Sequence, residues 1–319
     1  MKVFFNDSII NEEHAMLSIF DHGFLYGDGV FETLVAYNGA VFMLKEHINR
    51  LKRSAALISL KIPYDDDQII SIVNDTLCAN ELLDAYIRIT VTRGVGPIGL
   101  DIDLCKTPTF LVTVRQSHPY PNNYYDDGIK VIISKVCRNP IEAINPAIKS
   151  LNFLNNILAK MEAKKCSAVE ALMCNVSGYL TEGTVSNLFF CKDDLIYTPS
   201  IECGILDGIT RNIVIELAQK NGIEVRQGQY NVDNLYQATE VFLTNTSMEV
   251  MPVSAVDLVK YNVGEMTLSL RKSYNEYKLR ECYKKYQSFL LKCKHLSPDA
   301  LKTSNEGIIF DIKPIILHP

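Results

Sequence analysis

Short apolar strands alternate with amphipathic helices along the chain, and the spacing of the apolar residues separates the two. The segments "AYIRITVTRG" and "FLVTVRQ" are rich in β-branched residues, which is typical of strands. One early segment predicts a helix, because its apolar residues recur at steps of three and four. These residues are Leu44, Ile48, Leu51, Ala55 and Ile58.

The second half of the chain predicts more strands joined by tight turns. "IKVIISKV" and "EVFLTNT" are typical strands, and "VEALMCNVSGYLTEG" and "NLFFCKDDLIYTP" each indicate a strand, a polar turn and a second strand. Between them, "GITRNIVIELAQKNG" predicts a helix that Gly222 closes as a C-terminal cap. Hairpins with interspersed helices favour an α+β fold with an antiparallel or mixed sheet over a doubly wound parallel one.

A connector rich in Pro, Asn, Asp and Gly, "SHPYPNNYYDDG", divides these two sets of elements. We therefore expect a small α+β domain at residues 1–116, an interdomain loop at 117–128 and a larger domain at 129–290. The tail, residues 291–319, includes a stretch from 296 onward whose role the sequence does not reveal.

One lysine stands at an unusual place in the pattern. "PAIKSLNFLNNILAK" predicts a helix whose core-facing stripe comprises Leu151, Leu154, Leu158 and Met161, with Lys149 at its start. The N-terminal end of a helix carries partial positive charge and disfavours an ammonium group. Burial and a cationic neighbourhood lower a lysine pKa, so Lys149 is either a neutral, reactive amine or an ordinary surface lysine.

Composition narrows the class of protein. The 319 residues are 47% hydrophobic and 22% charged with a formal net charge of -5, so the chain is globular and nucleic acid is not an expected partner. Asp7, Glu12 and Glu13 interrupt the first apolar runs, so we expect no signal peptide, no membrane span and a cytoplasmic location. Nine cysteines without a C-x-x-C pair and six scattered histidines argue against a disulfide framework and a metal site.

The residues that could carry chemistry are a lysine, a carboxylate and an anion-binding helix start. Glu182 follows a predicted strand, and in "GILDGITRN" the N–H groups of Ile209 and Thr210 would point at a bound anion. A pyridoxal-phosphate enzyme requires such a set: a lysine for the Schiff base, a carboxylate for the pyridine nitrogen, and donors for the phosphate. Taken singly, Glu182 could be an exposed turn carboxylate, and the helix start could be plain capping by Asp207.

The set resembles the fold-type IV pyridoxal-phosphate family, which includes branched-chain aminotransferases, D-amino acid aminotransferases and aminodeoxychorismate lyases. The resemblance covers roughly residues 1–285, in the family's order, through "DHGFLYGDGVFET", "EHINRLKRS", "IKSLNFLNNILAKMEA", "GILDGITR" and "ATEVFLTNTSMEVMPV". It implies a small α/β sandwich domain, a larger cofactor-binding domain with a pseudo-barrel of strands, and pyridoxal 5′-phosphate as cofactor. It also implies a homodimer whose sites borrow residues from the partner subunit.

The resemblance also assigns residues. Lys149 resembles the Schiff-base lysine and proton shuttle, Glu182 the partner of the pyridine nitrogen, and Leu206 the residue that packs on the ring. The family's phosphate cup corresponds to Arg50, Ile209, Thr210 and Thr246. Substrate contacts correspond to Phe31, Tyr86, Arg88, and the backbone of Ser247 and Met248.

The resemblance favours one reaction of this family and leaves three alternatives open. D-amino acid aminotransferases hold the substrate carboxylate with an arginine and a histidine, where this chain has Ile98 and Leu100. We therefore expect an aminotransferase that moves the amino group of a branched-chain or similar aliphatic amino acid to 2-oxoglutarate. The alternatives are an aminodeoxychorismate lyase that releases pyruvate, a D-amino acid aminotransferase, and a non-catalytic cofactor-binding protein. Phe153 and Thr33 stand where branched-chain enzymes carry tyrosine and glycine, which indicates a retuned pocket.

Overall fold

A computed structural model describes residues 1–292, and its first half is built on a six-stranded sheet. Helices α1 (His22–Tyr26), α2 (Leu44–Leu57) and α3 (Asp66–Ala79) accompany this sheet. Its strands are β1 (Lys2–Phe5), β2 (Ser8–Asn11), β3 (Gly29–Tyr37), β4 (Ala40–Val41), β5 (Ala85–Thr92) and β6 (Thr109–Gln116).

The first sheet is antiparallel, in the order β2-β1-β6-β5-β3-β4, and its core lies against α2 and α3. Leu34 on β3, Ile48 and Leu51 on α2, and Ile69 on α3 are fully or almost fully buried in this core. The predicted stripe of α2 is therefore the face that meets the sheet.

A second sheet of nine strands follows, after the short helix α4 (Asn122–Asp126) between Gln116 and Ile129. Helices α5 (Leu154–Lys165), α6 (Ile209–Lys220), α7 (Val232–Tyr236) and α8 (Glu265–Lys292) lie along this part of the chain. The strands are β7 (Ile129–Ile133), β8 (Glu170–Cys174), β9 (Leu180–Gly183), β10 (Asn187–Lys192), β11 (Leu195–Pro199), β12 (Val225–Gly228), β13 (Glu240–Asn245), β14 (Glu249–Val256) and β15 (Val259–Lys260).

This second sheet is mixed, as the hairpin pattern predicts. Strand β13 is antiparallel to β10 and β14, whereas β7 is parallel to both β14 and β8. Phe189 and Phe242 stack on each other with ring centroids 4.9 Å apart, in a core that includes residues of α6 and α8. Gly222 follows α6 with φ +77°, the left-handed conformation expected of a glycine cap. The α+β prediction is confirmed, while the domain boundaries stay a prediction.

The prediction that Lys149 begins a helix is wrong. Helix α5 begins at Leu154, and residues 149–151 instead run beside β3. The Phe31 N–H donates to the Lys149 carbonyl at 2.9 Å, and the Leu151 N–H donates to the Gly29 carbonyl at 2.9 Å. These bonds hold the lysine segment extended against the first sheet, so the helix dipole does not act on Lys149.

The predicted apolar stripe of α5 does not face the core. Leu154, Leu158 and Met161 are 67%, 44% and 50% exposed. The buried face of α5 is formed by Asn156, Ala159 and Ala163. The spacing of apolar residues at three and four positions correctly predicted a helix. However, small residues make the contact with the sheet, and the large apolar residues face outward.

The predicted tail lies almost entirely outside the described residues. Its first two residues, 291 and 292, end helix α8. Among residues 1–292, no helix is both long enough and apolar enough to cross a membrane.

Truncation of the core of the first sheet tests this architecture. Leu34 is fully buried, so Leu34→Ala should lower the free energy of unfolding by about 2–5 kcal/mol, the usual cost of a core cavity. Urea unfolding followed by circular dichroism measures the change. Leu258 is 96% exposed, so Leu258→Ala should leave the transition unchanged, and an equal loss in both variants would contradict the packing described.

Candidate active site

Lys149 is partly buried and lines an open cavity together with residues of α2, β9, β13 and the start of α6. Its Nζ atom is 4.6 Å from the centroid of the Phe31 ring. Burial, followed by the nearby Arg50 guanidinium, lowers the pKa of Lys149 from 10.5 to about 8. A substantial fraction of the amine is therefore neutral near physiological pH, as a base or nucleophile requires.

The first charged pair beside Lys149 joins β3 to α2. Arg50 donates from Nε and Nη2 to the two carboxylate oxygens of Glu32, at 2.7 and 2.9 Å, and from Nη1 to the Asp207 carbonyl at 3.0 Å. His47 Nδ1 lies 2.7 Å from the same carboxylate. Burial alone would raise the pKa of Glu32, but Arg50 and then His47 outweigh it and hold that pKa well below its usual range. A guanidinium has five N–H donors, so Arg50 keeps donors for an anion in the cavity.

The second charged pair fixes Glu182 at the end of β9. Arg138 Nε donates to Glu182 Oε1 at 2.9 Å, and both side chains are less than 10% exposed. The Leu206 N–H donates to the other oxygen at 3.0 Å, and Asn187 Nδ2 lies 3.4 Å from it. Glu182 is therefore not an exposed turn residue. Each carboxylate oxygen accepts more than one hydrogen bond, so the group can still receive a donor from the cavity.

The N-terminus of α6 forms the anion-binding side of the cavity. Gly208 is the N-cap residue and offers no side-chain acceptor, so Ile209 and Thr210 begin the helix without a side-chain cap. Both residues line the cavity, as do Arg50 and Thr246, which places the predicted phosphate cup together. Helix N-termini bind phosphates through backbone N–H groups and the helix dipole.

A buried hydroxyl in the cavity also indicates a missing partner. Thr244 is fully buried, and its Oγ1 atom has no hydrogen-bond partner within residues 1–292. Unpaired buried polar atoms are rare in folded proteins. The Thr244 hydroxyl, the uncapped helix start, the held carboxylate and the buried amine together fit a phosphorylated pyridine aldehyde.

The residues predicted to contact substrate form two separate groups. Phe31 lies between Lys149 and Arg88, whose guanidinium carbon is 3.8 Å from the ring centroid, and packs edge-on against Phe153 at 5.2 Å. The Tyr86 hydroxyl, at a partly exposed position, lies 3.3 Å from Thr33 Oγ1. Phe153 lines the cavity and Phe31 packs against it, so the two rings form an apolar wall beside Lys149.

The turn at residues 246–248 is the second group. The N–H groups of Ser247 and Met248 donate to Asn245 Oδ1 at 2.8 and 2.7 Å, and the Met248 side chain is 2% exposed in the core of the second sheet. The Met248 side chain therefore does not line the cavity. A substrate carboxylate at this turn would share backbone donors with Asn245.

Comparison with known proteins identifies the family. The sequence model described as amino-transferase class IV matches residues 29–256, which is more than half of the chain. The chain belongs to the class IV aminotransferase family.

Relatives of this aminotransferase carry three different names. A protein of Methanocaldococcus jannaschii named putative branched-chain-amino-acid aminotransferase is 43% identical, over 90% of this chain and 99% of its own length. An aminodeoxychorismate lyase of Bacillus subtilis is 35% identical, over 86% of this chain and 94% of its own. A D-alanine aminotransferase of Staphylococcus epidermidis is 34% identical, over 86% and 97% respectively.

Solved structures are similar over nearly the whole aminotransferase. The branched-chain amino acid aminotransferase of Escherichia coli matches with a TM-score of 0.85 at 29% identity, covering 88% of this chain and 95% of its own. Another branched-chain amino acid aminotransferase, solved with pyridoxamine 5′-phosphate, matches at 0.82 and 31% identity, covering 90% and 97%. The predicted fold-type IV fold, pyridoxal 5′-phosphate as cofactor and transaminase class are confirmed.

Sequence reasoning missed the partners that hold the predicted residues. Arg138 follows a strand in "SKVCRNP" with no periodic signal. A signal did exist for Glu32, since a carboxylate inside the apolar strand "GVFETLVAY" requires a buried partner. His47 and Arg50 lie three residues apart on one helix face, next to the apolar stripe of α2. That arrangement, combined with the buried Glu32, could have indicated the cluster.

The lowered pKa of Lys149 can be measured in the aminotransferase stripped of cofactor. Only the neutral amine is acetylated, so labelling of Lys149 by acetic anhydride should rise with pH around a midpoint near 8. Peptide mass spectrometry follows the label. Arg88→Met should move the midpoint upward, because the Arg88 charge is among the causes that lower this pKa. A wild-type midpoint near 10.5 would contradict the buried position.

Proposed function

We propose that this aminotransferase moves the amino group of a branched-chain or similar aliphatic amino acid to 2-oxoglutarate. The observation that carries the proposal is the position of the buried Lys149 amine, beside an apolar wall and between two ion pairs. The similar proteins named for branched-chain amino acids, among them both solved structures, support the choice of substrate class.

Lys149 moves the proton at the substrate Cα. When bound, pyridoxal 5′-phosphate supplies an electron-poor ring that draws away the electron pair of the broken Cα–H bond. Lys149 can accept this proton because its lowered pKa leaves part of the amine neutral. Glu182, oriented by Arg138, would accept a hydrogen bond from the protonated ring nitrogen of the bound cofactor.

The remaining assigned residues bind and orient. Arg50, Ile209, Thr210 and Thr246 would hold the phosphate, and Leu206 would pack on the ring. The apolar wall of Phe31 and Phe153 receives an aliphatic side chain, with Tyr86 at its edge. Arg88 and the backbone of Ser247 and Met248 receive the substrate carboxylate. Since a missing methylene costs only about 1–3 kcal/mol in such a pocket, several aliphatic donors should react.

A lyase is the second candidate, because a relative at 35% identity carries that name. Such an enzyme would release pyruvate from aminodeoxychorismate without any oxo-acid acceptor. The apolar wall of Phe31 and Phe153 favours an aliphatic amino acid as substrate.

We also propose that the aminotransferase forms a homodimer. Leu154, Leu158 and Met161 lie exposed on α5, and Ile98 and Leu100 are 75% and 84% exposed on the loop after β5. Large exposed apolar surfaces mark sites of association. The expected cytoplasmic location stays a prediction.

Replacement of the proposed base tests the transaminase proposal. Lys149→Ala should lower turnover by at least about 10³-fold, because the general base is lost. Glu182→Gln should lower it by on the order of 10²-fold, because a neutral amide no longer stabilises a protonated ring nitrogen. Glutamate formation from 2-oxoglutarate, screened across L- and D-amino acids, is the measurement. Lys164→Ala removes an exposed lysine of α5 and is the matched control.

Three outcomes would contradict parts of this proposal. Full turnover by Lys149→Ala would exclude Lys149 as the base. Reaction of D-amino acids alone would establish the D-specific alternative. Pyruvate release from aminodeoxychorismate without an acceptor, in place of glutamate formation, would establish the lyase.

The dimer can be tested by light scattering during size exclusion. The wild-type mass should be twice the 36.0 kDa of one chain. The double substitution Ile98→Glu and Leu158→Glu should shift the aminotransferase toward monomer, because charges would be buried in the interface. Leu258→Glu changes a still more exposed apolar residue, in the turn after β14, and should remain dimeric. A wild-type monomer would refute the dimer.

A further inference from the structure

The hairpin between β13 and β14 borders the cavity through its turn. Asn245 pairs with Glu249 at the base of the hairpin, and residues 246–248 form the turn between them. Asn245 fixes one side of this turn: its Oδ1 accepts the two N–H groups of residues 247 and 248, and its Nδ2 donates to the Val185 carbonyl at 3.1 Å. That side is therefore attached to the second sheet.

Glu249 closes the other side of the turn in a strained conformation. Its φ is +57°, in the left-handed region that a three-residue hairpin normally fills with glycine. A side chain with a Cβ atom is unfavourable there. The identity of this residue therefore requires an interaction that outweighs the strain.

The Glu249 carboxylate makes that interaction with two other elements. The Tyr37 hydroxyl donates to Oε1 at 2.8 Å, and Lys278 Nζ donates to the same oxygen. The Lys278 ammonium also lies 4.6 Å from the centroid of the Tyr37 ring. The Glu249 and Lys278 side chains are 16% and 13% exposed, so water screens the pair little.

These three residues connect separate parts of the fold. Tyr37 ends β3, the strand that also carries Phe31 and Glu32, and Lys278 lies on α8. Through Glu249, the turn of the second sheet is thus fastened to the end of β3, the strand that also carries Phe31 beside Lys149.

We propose that Glu249, held by Tyr37 and Lys278, is a positioning residue that fixes the 246–248 turn relative to β3 and thereby sets the affinity for the substrate carboxylate. The inference rests on the proposed function, since it requires a carboxylate at this turn. It adds three residues to the site that touch neither cofactor nor substrate.

A similar hydrogen bond between a tyrosine and a carboxylate lies at the other end of β14 and serves as the control. Asp257 also has a left-handed backbone, φ +52°, and its carboxylate also accepts a tyrosine hydroxyl, that of Tyr236 at 2.7 Å. Neither residue lines the cavity. Loss of this bond should affect stability alone.

The experiment measures binding of 4-methylvalerate, a branched carboxylate without an amino group, to the holoenzyme. Tyr37→Phe and Glu249→Gln should each raise its Kd and the KM for the amino acid about tenfold, the scale of one hydrogen bond to a charged group. The kcat should stay within about twofold.

Glu249→Gly removes both the strain and the carboxylate, so it should keep the thermal midpoint and still lose affinity. Tyr236→Phe and Asp257→Asn should lower the midpoint while Kd and KM stay unchanged.

Several results would overturn the inference. One is an unchanged Kd and KM in Tyr37→Phe and Glu249→Gln. Another is an equal loss of affinity in Tyr236→Phe. A wild type that does not bind the acid also overturns it, because the turn then receives no carboxylate. A wild type that binds the acid but transfers no amino group refutes the proposed function alone, and the Kd comparison still decides the role of Glu249.

Discussion

The constraint on which this site depends is the burial of an amine among charges. An ammonium group removed from water needs compensation or loses its proton. Around Lys149 the structure places Glu32 with Arg50 on one side and Glu182 with Arg138 on the other. Glu32 and Glu182 favour the charged lysine, but each is paired with a guanidinium, and burial together with the Arg50 charge outweighs them and lowers the Lys149 pKa. The neutral amine that proton transfer requires therefore follows first from burial and then from the nearby Arg50.

The two ion pairs also explain why distant segments must meet. Removing one partner of a buried pair typically costs about 3–5 kcal/mol, because the remaining charge stays uncompensated. Arg50 comes from α2 and Glu32 from β3, whereas Arg138 follows β7 and Glu182 ends β9. The chemistry and the tertiary structure therefore depend on the same contacts, and a change at Arg138 would affect both.

Sequence patterns predicted the elements well and their surroundings poorly. The β-branched residues of β5 and β6, the stripe of α2 and the glycine after α6 report local geometry, which a short window contains. The segment at residues 149–151 was predicted as a helix start because a window cannot show that β3 offers it hydrogen bonds. The stripe of α5 was assigned to the core because periodicity shows which residues share a face and not what covers that face. Arg138 was missed because a single arginine has no period, and its role exists only beside Glu182.

The attachment of residues 149–151 to β3 divides the reactive groups between the sheets. The reactive amine, Glu32 and Arg50 belong to the first sheet, while Glu182, the start of α6 and the 246–248 turn belong to the second. The proposed cofactor site would therefore bridge the two sheets, with Lys149 and Arg50 on one side and Glu182 and the start of α6 on the other. Any motion that parts the sheets would move Lys149 away from Glu182, even though both residues lie within the predicted larger domain, residues 129–290. The contact between the sheets is thereby itself a condition for assembling the proposed site.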